Sequence, residues 1–266
     1  MGLQTSGAIS LNQIHVEAGG SSGTLCSIND SDIRGLLNPT PGSGTQMDFA
    51  DWYGASAGPT FKGAITDEED RFYSLSFNFS TLSPAVGDLV LLAIATDLSI
   101  KTNEISFSGM SLTRLNPAGE SKSPGLYVGY GFYASGGATT ITMSGSSARP
   151  AAGVCAVFSG LSTFKNSAYA SGSGTYPNPP NLPSASPTKI IIATGHQDDD
   201  AVDLIAPSGY TLAGRAKAIF STKTSNRASC AVAYKITNTS QAEDPGQFTN
   251  SGNLTDSVEG YTIRFA

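Results

Sequence analysis

Two strings in this chain have the spacing of a nucleophilic serine, G-x-S-x-G: GGSSG at Gly19–Gly23 and GASAG at Gly54–Gly58. Such a serine works on a sharp turn between a buried strand and a helix, with a histidine in reach as base. The first string lies in a Gly/Ser-rich stretch, and the second runs from Trp52-Tyr53 into Pro59. Only His15 and His196 are available to complete a triad. Both strings therefore read as connectors. The most ligand-rich cluster is His196-Gln197-Asp198-Asp199-Asp200, with Asp203 close behind. Adjacent carboxylates suit a hard cation, but the alternating spacing of a calcium loop is absent. One histidine without a second His or Cys does not make a zinc site. His196, Asp198, Asp199 and Asp200 are expected on a solvated loop at a strand end, with a structural cation or surface recognition as the alternatives.

Other candidates are weaker. Asp67-Glu68-Glu69-Asp70 reads as a solvated turn before a strand rather than a calcium site. Tyr127, Tyr130, Phe132 and Tyr133 crowd one strand; they fit core and cross-strand packing better than sugar stacking. Cys26, Cys155 and Cys230 lack CxxC spacing, and the latter two sit in apolar runs, as core-filling thiols would. No carboxylate pair stands out for glycoside cleavage. No phosphate loop or dinucleotide fingerprint appears, so no enzyme activity and no cofactor are expected.

The elements that would position these residues are strands. Among 266 residues, 30 Gly and 14 Pro accompany a charged share of only 14%, while a 39% hydrophobic share supports a real core. That mixture describes many short strands joined by turns. A net charge of −6 and the lack of any Lys/Arg cluster argue against nucleic acid. The longest apolar run, Leu89–Ala95, has strand length, short of the ~18 residues needed to cross a bilayer. No basic, apolar leader opens the chain, so folding in a cytoplasm is expected.

Residues 1–58 form a distinct segment. Ile9, Leu11 and Ile14 follow one Ser-Gly, and Met47, Phe49 and Trp52 follow another; Ile28 and Ile33 lie between. A two-residue step followed by a three-residue step suits an extended start entering one helical turn, apolar on one side. Asp30 or Asp48 would cap such turns, and Gly54 would end the last. So few apolar residues among so much Gly, Ser and Thr are not expected to make a core of their own. Ile9, Leu11, Ile14, Ile28, Ile33, Met47, Phe49, Trp52 and Tyr53 are thus the expected docking interface, with Trp52 and Tyr53 its hot spots.

From residue 59 onward the chain reads as one β-sandwich. Residues 71–80 alternate cleanly, with Tyr73, Leu75, Phe77 and Phe79 on one face. A weak repeat then follows: Leu89–Ala93 matches Lys189–Ala193, Gly109–Leu112 matches Gly209–Leu212, Val128 and Tyr130 match Val232 and Tyr234, and Gly153–Phe158 matches Gly260–Phe265. LVLLA and KIIIA lack alternation, as central strands buried on both faces do. The expected fold is all-β: a two-sheet antiparallel sandwich, jelly-roll-like, of two weakly similar halves at about 71–161 and 188–266. A Pro-rich surface crossover at 166–187 joins them. An irregular N-terminal segment with short helical turns precedes it.

The body resembles a β-sandwich module of phage structural and some bacterial surface proteins, through Gly87–Thr96, Ser108–Leu112, Leu126–Tyr133 and Phe158–Leu161, restated at Pro207–Leu212 and Ala231–Ile236. The N-terminal segment is similar to SGxISLxDI…SLNDxDIR…SFxDFYG segments of tailed-phage virion proteins, with Gln13 where Asp is usual and Trp52 where Phe is usual. The resemblance implies a non-enzymatic virion protein, either a tail-associated fibre, adaptor or baseplate component or a capsid decoration protein. Its implied partners are other virion proteins and copies of itself in a symmetric homo-oligomer, a trimer being one form. Carbohydrate binding at the host envelope is a further reading, through Lys101–Asn103, Glu120–Gly125 and His196–Asp200.

Overall fold

The computed structural model describes residues 3–37, 41–53, 58–70, 74–96, 105–115, 125–145, 150–185, 188–198, 202–219, 227–237, 240–250 and 256–266. The chain divides into two compact units, Met1–Pro59 and Thr60–Ala266.

In the first unit, α1 (Leu11–Glu17), α2 (Ser31–Arg34) and a 3-10 turn at Phe49–Trp52 supply the regular structure. Ser10 and Gln13 cap α1 reciprocally: Ser10 Oγ accepts the Gln13 N–H at 3.2 Å and Gln13 Oε1 accepts the Ser10 N–H at 2.7 Å. Asp48 caps the 3-10 turn by accepting the Ala50 N–H at 2.8 Å. Asp30 precedes α2, but its carboxylate accepts the Ser27 N–H instead, at 2.7 Å. Gly54 lies outside the described residues.

Each of these turns sends one residue inward. Ile14, Ile33 and Trp52 meet with no exposed surface, and Ile9, Leu11, Ile28 and Met47 pack around them. The Trp52 indole N–H donates to the Ile33 carbonyl at 3.0 Å, so the large ring is buried with its one polar atom satisfied. The expectation that this segment lacks a core is therefore corrected. Its apolar residues are few along the chain, but each of the three turns sends one to the same cluster.

The second unit is antiparallel throughout its sheets. Its first half contains β1 (Thr60–Glu69), β2 (Ser74–Asn78), β3 (Leu89–Thr96), β4 (Ile105–Gly109), β5 (Thr113–Arg114), β6 (Leu126–Phe132), β7 (Thr140–Gly145) and β8 (Ala151–Ser159). The second contains β9 (Phe164–Gly174), β10 (Ile190–Asp198), β11 (Thr211–Ile219), β12 (Arg227–Ile236) and β13 (Asp256–Phe265). Two five-stranded sheets result, with orders β1-β8-β3-β6-β5 and β11-β12-β10-β13-β9. The expected all-β sandwich is these two sheets packed face to face. Leu89, Leu91, Val154, Phe158, Ile192, Val232, Ile263 and Phe265 belong to the apolar layer between them. β3 and β10, which hold the LVLLA and KIIIA strings, are the central strands of their sheets. Every residue of β3 is buried.

The two sheet orders are one order read twice, with β9, β13, β10, β12 and β11 in the places of β1, β8, β3, β6 and β5. Registers agree in detail. Leu89 pairs with Phe132 and Phe158, as Ile190 pairs with Ile236 and Phe265. Phe61 pairs with Phe158 and a bulge at Lys62 follows; Phe164 pairs with Phe265 and a bulge at Lys165 follows. Two of the four string matches hold to the residue. The other two slip: Leu89 is equivalent to Ile190 rather than Lys189, and Thr113 rather than Ser111 is equivalent to Thr211. Short apolar strings tolerate such slips, whereas main-chain pairing does not.

Each large sheet is also covered on its outer face. A third sheet, β2-β7-β4, covers the first, burying Leu75, Phe77, Ile141 and Met143 against Val90, Leu92 and Ile94. Over the second sheet, the same positions are held by irregular chain. There the Phe248 N–H donates to the Pro177 carbonyl at 2.9 Å, and Ile205 bridges to Thr249. Gly153 and Gly260 are equivalent, and both let the outer layer come close: a Cβ would fall 2.5 Å from the Phe77 ring and 3.0 Å from Pro179 main chain.

Three sequence expectations change accordingly. The halves are 60–161 and 162–266, because β1 and β9 begin them. Residues 166–187 are not one surface crossover: β9 takes the first part as an edge strand, and the prolines lie over the sheet. Proline lacks a donor but keeps its carbonyl, and Pro180 and Pro183 accept from Thr262 Oγ1 at 2.5 Å and Arg264 Nη1 at 2.8 Å. The acidic run is the end of β1 and its exit, not a free turn: Glu68 and Asp70 accept the Lys217 and Ile219 N–H groups of β11 at 3.2 and 3.3 Å.

Candidate functional site

The expected docking residues divide by burial. Ile14, Ile33 and Trp52 form the centre of the first unit and offer no surface to a partner, which corrects their assignment as interface residues. Ile9, Leu11, Ile28 and Met47 are partly buried against that centre. Phe49 and Tyr53 remain exposed, at 43% and 39%. Tyr53 is oriented by its hydroxyl, which donates to the Gly7 carbonyl. Sequence reading missed two further exposed side chains, Val16 on α1 and Leu25, because neither lies on an inward apolar stripe. A small unit with a closed core that still exposes Val16, Leu25, Phe49 and Tyr53 can dock as a preformed body.

GGSSG forms the turn after α1, with no strand before it. Gly54–Ala57 of the second string lie outside the described residues.

In the second unit, His196 is not on a solvated loop. It lies inside β10 at 1% exposure, because β10 continues to Asp198. Asp199 and Asp200, and the Asp198 side chain, lie outside the described residues. Asp203 lies 3.0 Å from Lys217 Nζ and 3.5 Å from Arg215 Nε, and the Lys217 hydrogen bond holds its carboxyl below the usual range. Among the described residues, no group of three His, Cys, Asp or Glu side chains is arranged to hold a metal.

Around His196 the strands build a polar row that sequence reading did not assemble. Register places Cys230 of β12 and Glu259 of β13 on either side of His196. His196 Nδ1 is 3.9 Å from Glu259 Oε2. Burial pushes the imidazole down to about 4, with the Thr96 main chain acting weakly the other way. Burial pushes the Cys230 thiol up to about 12, and it donates to the Ala93 carbonyl at 3.5 Å. Cys-His-Glu is the composition of a thiol nucleophile with its base. Here the thiol stays protonated and the row is shut between sheets, so it presents no reactive thiolate.

The aromatic strand is occupied internally. Tyr127 stacks on Phe107 at 4.6 Å, Tyr130 stacks on Phe164 at 5.1 Å, and Tyr133 meets Phe79 edge-on at 6.3 Å.

Strand directions bring many strand ends together. The chain enters the sandwich at Thr60, and the connectors 71–73, 97–104, 116–124, 146–149, 199–201, 220–226 and 251–255 all join strand ends at the opposite end. These include Lys101–Asn103, Asp199–Asp200 and nearly all of Glu120–Gly125, though the connectors' own residues lie outside the described ones. Among the described residues, no helix is long and apolar enough to cross a membrane. Comparison with protein-family models, curated proteins and solved structures finds no match to this chain.

Proposed function

We propose that this chain is a non-enzymatic virion component, of the tail-associated fibre, adaptor or baseplate kind, that docks through Met1–Pro59 and displays its sandwich. The observation that carries the reading is the first unit: a closed core around Trp52 with Phe49, Tyr53, Val16 and Leu25 left outside it. Those side chains supply the apolar area of the interface, Phe49 and Tyr53 being its anchors. Capsid decoration uses the same docking logic at another place on the particle.

A double substitution, Phe49→Asp with Tyr53→Asp, tests the reading in particles assembled with the variant chain. The expected result is at least tenfold lower incorporation, with the Trp52 fluorescence of the free chain unchanged. Undiminished incorporation refutes docking through this surface.

A second reading, host-glycan recognition, is favoured by the described strand ends that lie together away from Thr60. Glycan-array binding that survives docking-surface substitutions but is lost on replacing 101–103 supports it. No binding by the assembled oligomer counts against it.

A further inference from the structure

The inner face of the β11-β12-β10-β13-β9 sheet places a histidine and a carboxylate side by side in one row, Cys230, His196 and Glu259. The equivalent row of the other large sheet is Leu126, Ala95 and Ala152. The fold therefore does not require polar side chains at this level, since its sister row has none.

The polar row ties the two sheets together. Glu259 Oε1 accepts the Gly125 N–H at 3.1 Å and Oε2 accepts the Leu126 N–H at 2.7 Å, so a carboxylate on one sheet holds the start of β6 in the other. These donors begin β6 before its pairing with the short β5, which meets Tyr130 and Gly129 and is extended by the Leu115 N–H donating to the Val128 carbonyl. His196 fills the space beside them: a Cβ on Gly125 would fall 2.5 Å from its ring. The ring is fully enclosed, and neither nitrogen completes a hydrogen bond.

We propose that this row is an acid-operated latch: protonation of His196 draws Glu259 off the Gly125 and Leu126 N–H groups and opens the connector-bearing end of the seam between the two large sheets. A neutral imidazole is tolerated in this buried row, whereas an imidazolium, with the Thr96 carbonyl as a weak partner, draws on the Glu259 carboxylate as the nearest countercharge among the described residues. Among the described side chains, the ionisable groups facing the ring from its own sheet are Glu259, Cys230 and, one row along, Tyr261. In the other sheet, the equivalent row of Leu126, Ala95 and Ala152 has no ionisable side chain.

With the ring titrating near 4 when closed and 6.5 when open, acidification from pH 7 to pH 5 favours the open form by about twentyfold. Amide hydrogen exchange on the full chain, corrected for intrinsic pH dependence, reads this directly. Protection at Gly125–Leu126 is expected to fall by that factor while β3 and β8 stay protected, and His196→Leu is expected to abolish the fall. An arm free of substitutions comes from the imidazole NMR of the native chain, where His15 and His196 are the only signals. Titration of His196 near 6.5, pH-independent protection, a loss that persists in His196→Leu, or a uniform loss across the sandwich would each overturn the latch.

Discussion

Replacing Ile14 by alanine decides whether the first unit is a folded body or a strap that needs a partner. Ile14 has no exposed surface and packs with Ile33 and Trp52 at the centre of the unit. Truncating a buried isoleucine to alanine costs about 2–5 kcal/mol, through lost transfer energy plus the cavity left behind. A unit the size of Met1–Pro59 holds only a few kcal/mol of stability, so the substitution removes most of it. With a urea slope near 1 kcal/mol/M for so small a unit, the midpoint falls by about 2–5 M. Trp52 is the only tryptophan of the chain and sits in this core, so its emission reports on this unit alone. The expected outcome is a red-shifted, early Trp52 transition in Ile14→Ala, with the circular-dichroism transition of the sandwich unmoved. Leu25→Ser, at a fully exposed position, is the control and leaves the Trp52 midpoint unchanged. An unchanged midpoint in Ile14→Ala, together with weakened docking, would refute the core and restore the strap.

Gly153→Ala places a methyl group 2.5 Å from the Phe77 ring; the sandwich is expected to lose about 1–3 kcal/mol in a thermal melt while the Trp52 signal is unaffected. Lys62, bulged from β1, lies 2.6 Å from the nearly buried Asp88 carboxylate. Lys62→Met takes the ammonium from that charge, leaving it the Ala85 N–H at 2.7 Å, and is expected to cost about 2 kcal/mol by urea titration at pH 7. The sandwich is also expected to weaken as pH falls from 6.5 toward 4, because unfolded chains protonate His196 over that range and the folded one does not. The loss approaches about 3 kcal/mol and is absent from His196→Leu, as urea midpoints across the range would show.

How much of this was legible depends on whether a property belongs to one segment or to several. The unbroken apolar runs at Leu89 and Ile190 announced central strands, because a strand covered on both faces has no polar side to alternate with. Alternation at Leu75, Phe77 and Phe79 announced a strand with one buried face, and the matched strings announced the duplication. Asp48 marked the last helical turn, since capping is a contact between near neighbours in the chain, whereas Asp30 turned to the Ser27 N–H and the Ser10–Gln13 cap went unread. Partnership across the chain was not encoded so locally. The spacing of Ile14 and Trp52 showed that each turn has an apolar side, but not that the sides of three turns face each other instead of a partner. The prolines of 177–183 advertised absent donors, while the carbonyls that Phe248, Thr262 and Arg264 use are the same in every residue. His196 beside three aspartates looked like a loop. Only the pairing of β10 with β12 and β13 put it between Cys230 and Glu259, in a row where its sister sheet keeps alanine and leucine. Residue type and spacing decided which faces of this chain are apolar; tertiary structure alone decided what each face meets, because burial is a property of two surfaces and a segment supplies one.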